Sequence, residues 1–145
     1  MKTKKIFILI SSLFLFVMVV TVVKVVNSPE KKVMRYFASN REILQENVLN
    51  YAAENQVSDV ADIKASYWNG EHPIIEYTIE NRGFASASQY YGVFYSFDDV
   101  PVAFQNTNTV LVPLSDEEWE WSEGGDNKGY IRKIESNWFY FEATF

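Results

Sequence analysis

The sequence predicts an α+β fold behind a transmembrane helix: one amphipathic helix packed on an antiparallel β-meander of about seven short strands. Three observations predict it. Residues 6–26 are almost continuously apolar, residues 28–56 carry apolar side chains at helical spacing, and from residue 60 onward apolar and polar residues alternate between turn signals.

The apolar segment comes first. Lys2, Lys4 and Lys5 form a basic tip, and residues 6–23 are interrupted only by Ser11, Ser12 and Thr21. Lys24 can reach back to the interface, which extends the usable span to Val26. At about 1.5 Å per residue such a span reaches roughly 30 Å, the thickness of the hydrocarbon core. A cleaved signal peptide has a shorter apolar region and small residues before the cut, whereas residues 22–28 read VVKVVNS. The expectation is a retained signal-anchor: 1–5 a cytoplasmic tip, 6–26 the transmembrane helix, and 28–56 with 60–145 one extracytoplasmic domain of a single-pass cell-membrane protein. The positive tip favours this orientation, and Lys24, Lys31, Lys32 and Arg35 beyond the span weaken the bias. A pilin-like start is rejected, because no Gly precedes Gly70 and the first acid is Glu30.

Charge and composition narrow the partners. The chain carries a net charge of -6, and four lysines without an acid in residues 1–27 leave the remainder at -10. Such a domain repels nucleic-acid phosphates, so no nucleic acid is expected as a partner. The expected partners are the lipid bilayer through 6–26 and, outside the cell, an envelope protein or a cell-wall glycan. Cysteine is absent, which removes disulfides, thiol nucleophiles and Cys-based metal sites. No cofactor is expected.

Ser28-Pro29 is a helix start, with Glu30 at the positive end of the dipole. Val33, Phe37, Leu44, Val48 and Tyr51 trace one stripe, and Arg41, Glu42, Glu46 and Asn50 take the other side. Ser39 and Glu42 fit a capping box, so the spacing allows both a continuous helix and one broken near Asn40.

Strands are predicted at 63–68 and 73–80, around the hairpin signal Asn69-Gly70. Ile75, Tyr77 and Ile79 share one face and Glu76, Thr78 and Glu80 the other, the pattern of a sheet covered on one side. Residues 81–89 read as a loop and 90–97 as an aromatic strand. Short strands are expected near 102–105 and 109–114, a helical turn or an edge at 115–118, and strands at 119–122, 129–135 and 138–142. On the last strand, alternation puts Phe139 and Phe141 inward and Trp138 and Tyr140 outward.

The stretches YYGVFYSFDDVPV and GDNKGYIRKIESNWFYFE, within Tyr90 to Glu142, resemble uncharacterised small single-pass membrane proteins of low-GC Gram-positive bacteria. The resemblance implies the same location and carries no activity to transfer.

Candidate chemistry is sparse. His72 is the only histidine and stands beside a turn, where an inert exposed ring is the ordinary outcome. Asp116, Glu117, Glu118, Glu120, Glu123 and Asp126 form the densest acidic run. Within it Asp116, Glu118, Glu123 and Asp126 are candidate Ca²⁺ ligands near Gly124-Gly125, although EF-hand spacing is absent. A carboxylate hydrolase would need two acids facing across a cleft. Aromatics are 17% of the chain. Trp119, Trp121, Trp138 and Tyr140 are the candidate ligand-binding residues of a sugar-stacking platform, and the preferred reading instead places the aromatics in the core and over the sheet surface. The function expected is a non-enzymatic envelope or protein-interaction role, with a glycan- or peptidoglycan-binding module as the alternative.

Overall fold

The computed structural model describes residues 27–54, 56–84 and 87–145. The expected tip and anchor at 1–26 lie outside the described residues, and among those described no helix is long and apolar enough to cross a membrane.

Helix α1 runs Pro29–Glu54. The Lys31 amide donates to Ser28 Oγ at 3.3 Å, the capping bond that the Ser-Pro start predicts. Val33, Phe37, Leu44 and Val48 are buried along one stripe. The helix does not break at Asn40, whose side-chain amide donates to the Tyr36 carbonyl within the helix at 2.9 Å. The stripe continues on both sides of Asn40 against one sheet, and that packing outweighs a single internal cap of about 1 kcal/mol.

Seven strands follow: β1 Lys64–Trp68, β2 Ile74–Arg82, β3 Gln89–Ser96, β4 Val112–Ser115, β5 Glu118–Gly124, β6 Asn127–Glu135 and β7 Trp138–Thr144. Their order is β1-β2-β3-β7-β6-β5-β4, and every neighbouring pair is antiparallel. The sheet is thus two meanders, β1–β3 and β4–β7, joined where β7 pairs with β3. The connection between the meanders, residues 97–111, has to travel from the middle of the sheet to the far edge.

That connection decides the packing. One face of the sheet meets α1, through Ile75, Tyr77, Val93, Trp138 and Tyr140. On the opposite face Ile74, Phe94, Ile131, Phe139 and Phe141 are buried with Trp121 and with Val102, Ala103 and Phe104 of the connection. The one-sided sheet expected from β2 is therefore corrected: both faces are covered. Val102–Gln105 is not a strand, and Phe104–Asn106 forms a 3-10 turn. With their side chains pressed onto a sheet face, and both sheet edges held by β1 and β4, these residues have no ladder to join.

The turns also differ in detail. The β1–β2 connection spans 69–73, because Trp68 pairs with Ile74 and Pro73 has no amide to offer. The β5–β6 turn is shorter than the expected loop, since Gly124 and Gly125 take φ of 89° and 61°, which lets β5 and β6 pair as far as Gly124 and Asn127. Asp116 and Glu117 form the turn between β4 and β5, and of the two outcomes expected at 115–118 it is the edge that occurs, since β4 ends the sheet.

Candidate functional site

The four aromatic residues weighed as a platform do not share a surface, and the core reading describes three of them. Trp138 and Tyr140 are 0% and 1% exposed and face α1, while Trp121 is 3% exposed on the opposite face. The Trp138 ring lies 5.2 Å from that of Phe37 and 5.2 Å from that of Tyr95. Trp119 is half-buried and packs 6.2 Å from the Phe139 ring. The outward placement of Trp138 and Tyr140 is corrected together with the platform. Once the connection covers the second face, both sides of β7 lie in the interior.

The acidic candidates are likewise dispersed. Asp116 sits in the turn before β5 and Asp126 in the turn after it. β5 has seven residues, so about 20 Å of strand separates the turns at roughly 3.3 Å per residue. Glu118 accepts from the Tyr130 hydroxyl at 2.7 Å, and Glu123 accepts from the Thr109 hydroxyl. Among the described residues no three His, Cys, Asp or Glu side chains stand close enough to hold a metal ion. The Ca²⁺ set of Asp116, Glu118, Glu123 and Asp126 is therefore not assembled. His72 Nδ1 lies 2.6 Å from Asp98 Oδ2 at an exposed turn. Asp98 also accepts from the Ser96 hydroxyl at 2.9 Å, so the pair ties the β1–β2 turn to the end of β3.

The structure builds its most distinctive polar centre around Glu76. This residue points to the second face of β2, is 4% exposed, and forms no salt bridge among the described residues. The Gln105 amide donates to its Oε2 at 3.0 Å. Burial pushes its carboxyl up to about 7, against the lowering effects of the Gln105 amide, the Lys64 charge and a Thr78 hydrogen bond. Gln105 reaches it from a left-handed backbone, φ 55°, ψ 27°. Asn106, also left-handed at φ 54°, donates to the carbonyls of Trp68 at 3.4 Å and His72 at 3.1 Å. A buried carboxyl with a strongly displaced pKa beside a cleft marks a site with a physical rationale.

The cleft above Glu76 has a volume of about 580 Å³, within the ~300–1,000 Å³ of ligand-holding pockets. Ser66 and Trp68 of β1, Thr78 of β2, Tyr90 of β3, Phe104 and Phe145 line it. Lys64, Asp62 and Asn81 also border it. The Tyr90 and Phe104 rings stack at 5.3 Å. Trp68 Nε1 is buried and has no hydrogen-bond partner among the described residues. A second cleft, about 640 Å³, lies on the helix side among Tyr91, Glu120, Lys128, Tyr130 and Glu142. It has one half-buried carboxyl, Glu142, raised by burial.

Sequence reasoning missed Glu76 because alternation put it on the polar face of β2. The available signal was the apolar run at 100–104 inside a segment otherwise read as turn and short strand, which announces a cover for that face. No family model, curated protein or solved structure matches the chain.

Proposed function

We propose that the protein is a single-pass, membrane-tethered domain of the cell envelope, placed outside the cytoplasm, that acts by binding and not by catalysis. Kinship with the small single-pass proteins of low-GC Gram-positive bacteria belongs to the same proposal. The observation that carries it is the junction: the apolar run 6–26 is separated from Pro29, the first residue of α1, by Asn27 and Ser28 alone. Because α1 is packed on the sheet, an inserted run holds the whole domain against the bilayer, and Lys31 and Lys32 stand at headgroup depth.

The non-catalytic half rests on two placements. The one imidazole is engaged with Asp98 on an exposed turn, and the acidic run is spread over both ends of β5. A glycan-binding reading needs a site other than Trp119, Trp121, Trp138 and Tyr140.

The cysteine-free chain gives a direct test. A single cysteine placed at the exposed Glu71 is treated with a membrane-impermeant maleimide on intact cells. Labelling without lysis, with the chain retained in carbonate-washed membranes, is the expected result. Labelling only after lysis reverses the topology, and release by carbonate removes the tether.

A further inference from the structure

The cleft over Glu76 has features that select a ligand class. Its innermost polar group is a carboxyl, 4% exposed, with one oxygen already held by the Gln105 amide. Ser66, which pairs with Glu76 across β1 and β2, places a hydroxyl beside it on the same face. The half-buried Trp68 and Tyr90 supply apolar walls, and the buried Phe104 stacks on Tyr90. At the border Lys64 and Asp62 present opposite charges, and Ser66 and Asn81 present groups that both donate and accept.

Each ligand type meets this set differently. An anion is repelled by Glu76 and Asp62. A cation is repelled by Lys64 and leaves the Ser66 and Asn81 donors unanswered. A hydroxyl donates to a carboxylate and accepts from an N–H, so a neutral polyhydroxyl ring satisfies both kinds of group at once. Its C–H face fits an aromatic wall, as an apolar surface does.

We propose that this cleft binds a neutral saccharide unit, with sugar hydroxyls at Glu76, Ser66 and Asn81 and the ring face against Tyr90. The inference rests on the binding half of the function proposed above and is independent of the tether. Failure of the maleimide assay leaves it standing, and failure of the titration below leaves the topology standing.

The test uses the full chain in lipid nanodiscs, which keeps sugar-headed detergents out. Maltotriose, cellotriose and the β-1,4-linked N-acetylglucosamine trimer are titrated in turn, read by calorimetry and by indole fluorescence. Saturable binding of at least one trisaccharide is expected. Glu76→Gln should weaken it about tenfold, the effect of about 1.4 kcal/mol, and Ser66→Tyr, which fills the cleft, should abolish it. Trp119→Phe, away from the cleft, should leave it unchanged. The two cleft variants sit on different strands, and thermal unfolding verifies that each is folded. Absence of saturation with all three sugars up to about 10 mM, ten times a millimolar Kd, overturns the proposal. So does equal affinity of native chain and both folded cleft variants, or saturable binding of ethylammonium or inorganic phosphate in place of the sugars.

Discussion

The Gln105 backbone amide donates to the buried Glu76 carboxylate at 3.0 Å, and this contact fastens the β3–β4 connection to the second face of the sheet. Gln105 holds a left-handed backbone, φ 55°, a conformation that costs a residue with a Cβ about 1–2 kcal/mol. The bond to Glu76 and the apolar anchoring of Val102–Phe104 offset that cost.

Glu76 should make stability depend on pH. Its carboxyl is raised from 4.5 to about 7 in the folded chain, so the folded state holds the proton more tightly than the unfolded state. The contribution is fully present below pH 4.5 and is lost as pH rises through about 7. Over that window the native chain should lose roughly 3 kcal/mol relative to Glu76→Gln, at about 1.4 kcal/mol per pH unit. Asp98, Asp99 and Glu80, whose pKa values are lowered, act in the opposite direction and cancel in the comparison. Chemical unfolding of both chains at pH 5 and pH 8 measures the difference. An equal gap at the two pH values would remove the role assigned to Glu76.

Gly129 is required by Trp121. A Cβ at this position would lie 2.4 Å from Trp121 Nε1 and 2.4 Å from the Glu142 carbonyl oxygen. The indole therefore occupies the space a side chain would take. Gly129→Ala should cost about 1–3 kcal/mol through overpacking, with a change in near-ultraviolet dichroism as Trp121 shifts. An unchanged melting temperature would show that the indole does not lie over the glycine.

The helix orientation has an equally direct check. Leu44 is 0% exposed and Leu49 is 61% exposed. Leu44→Ala should cost about 2–5 kcal/mol, the range for a buried leucine. Leu49→Ala should fall within about 0.5 kcal/mol of the native chain. Reversed effects in thermal unfolding would mean that α1 packs through another face.

These residues also show what the sequence makes legible. The stripe Val33, Phe37, Leu44 and Val48 is a local signal, since spacing alone selects one side of a helix, and all four are buried. The strands of the C-terminal half are legible for the same reason, each with its own alternation and turn. Alternation does not reveal what lies opposite a face. Whether Glu76 meets water or Val102–Phe104 depends on the path of 97–111, and that path follows from β7 pairing with β3, more than forty residues away in the chain from one partner to the other. The misplacement of Trp138 and Tyr140 has this origin, and so does the invisibility of the Glu76 cleft. The acidic run is dispersed for a different reason: neighbours in sequence around β5 are driven to its two ends by an extended backbone.

His72 joins the β1–β2 turn to the end of β3 through Asp98. It is the only histidine in the chain, so its ring signals need no assignment. The hydrogen bond to Asp98 raises its pKa above 6.5, opposed by desolvation and reinforced by the charges of Asp98 and Glu71. In Asp98, desolvation is outweighed by the hydrogen bonds from His72 and Ser96, and its pKa falls. The signs separate the two limits. The imidazolium's contribution is complete below the unfolded value of 6.5 and is lost as pH rises through the higher folded value, whereas that of Asp98 is lost as pH falls through its lowered one. The contact should therefore be strongest in mildly acidic solution, between the two. An NMR titration of the ring protons should show a midpoint above 6.5 in the native chain, moving down in Asp98→Asn. A midpoint unmoved by that substitution would mean that the two turns are not joined through this pair in solution.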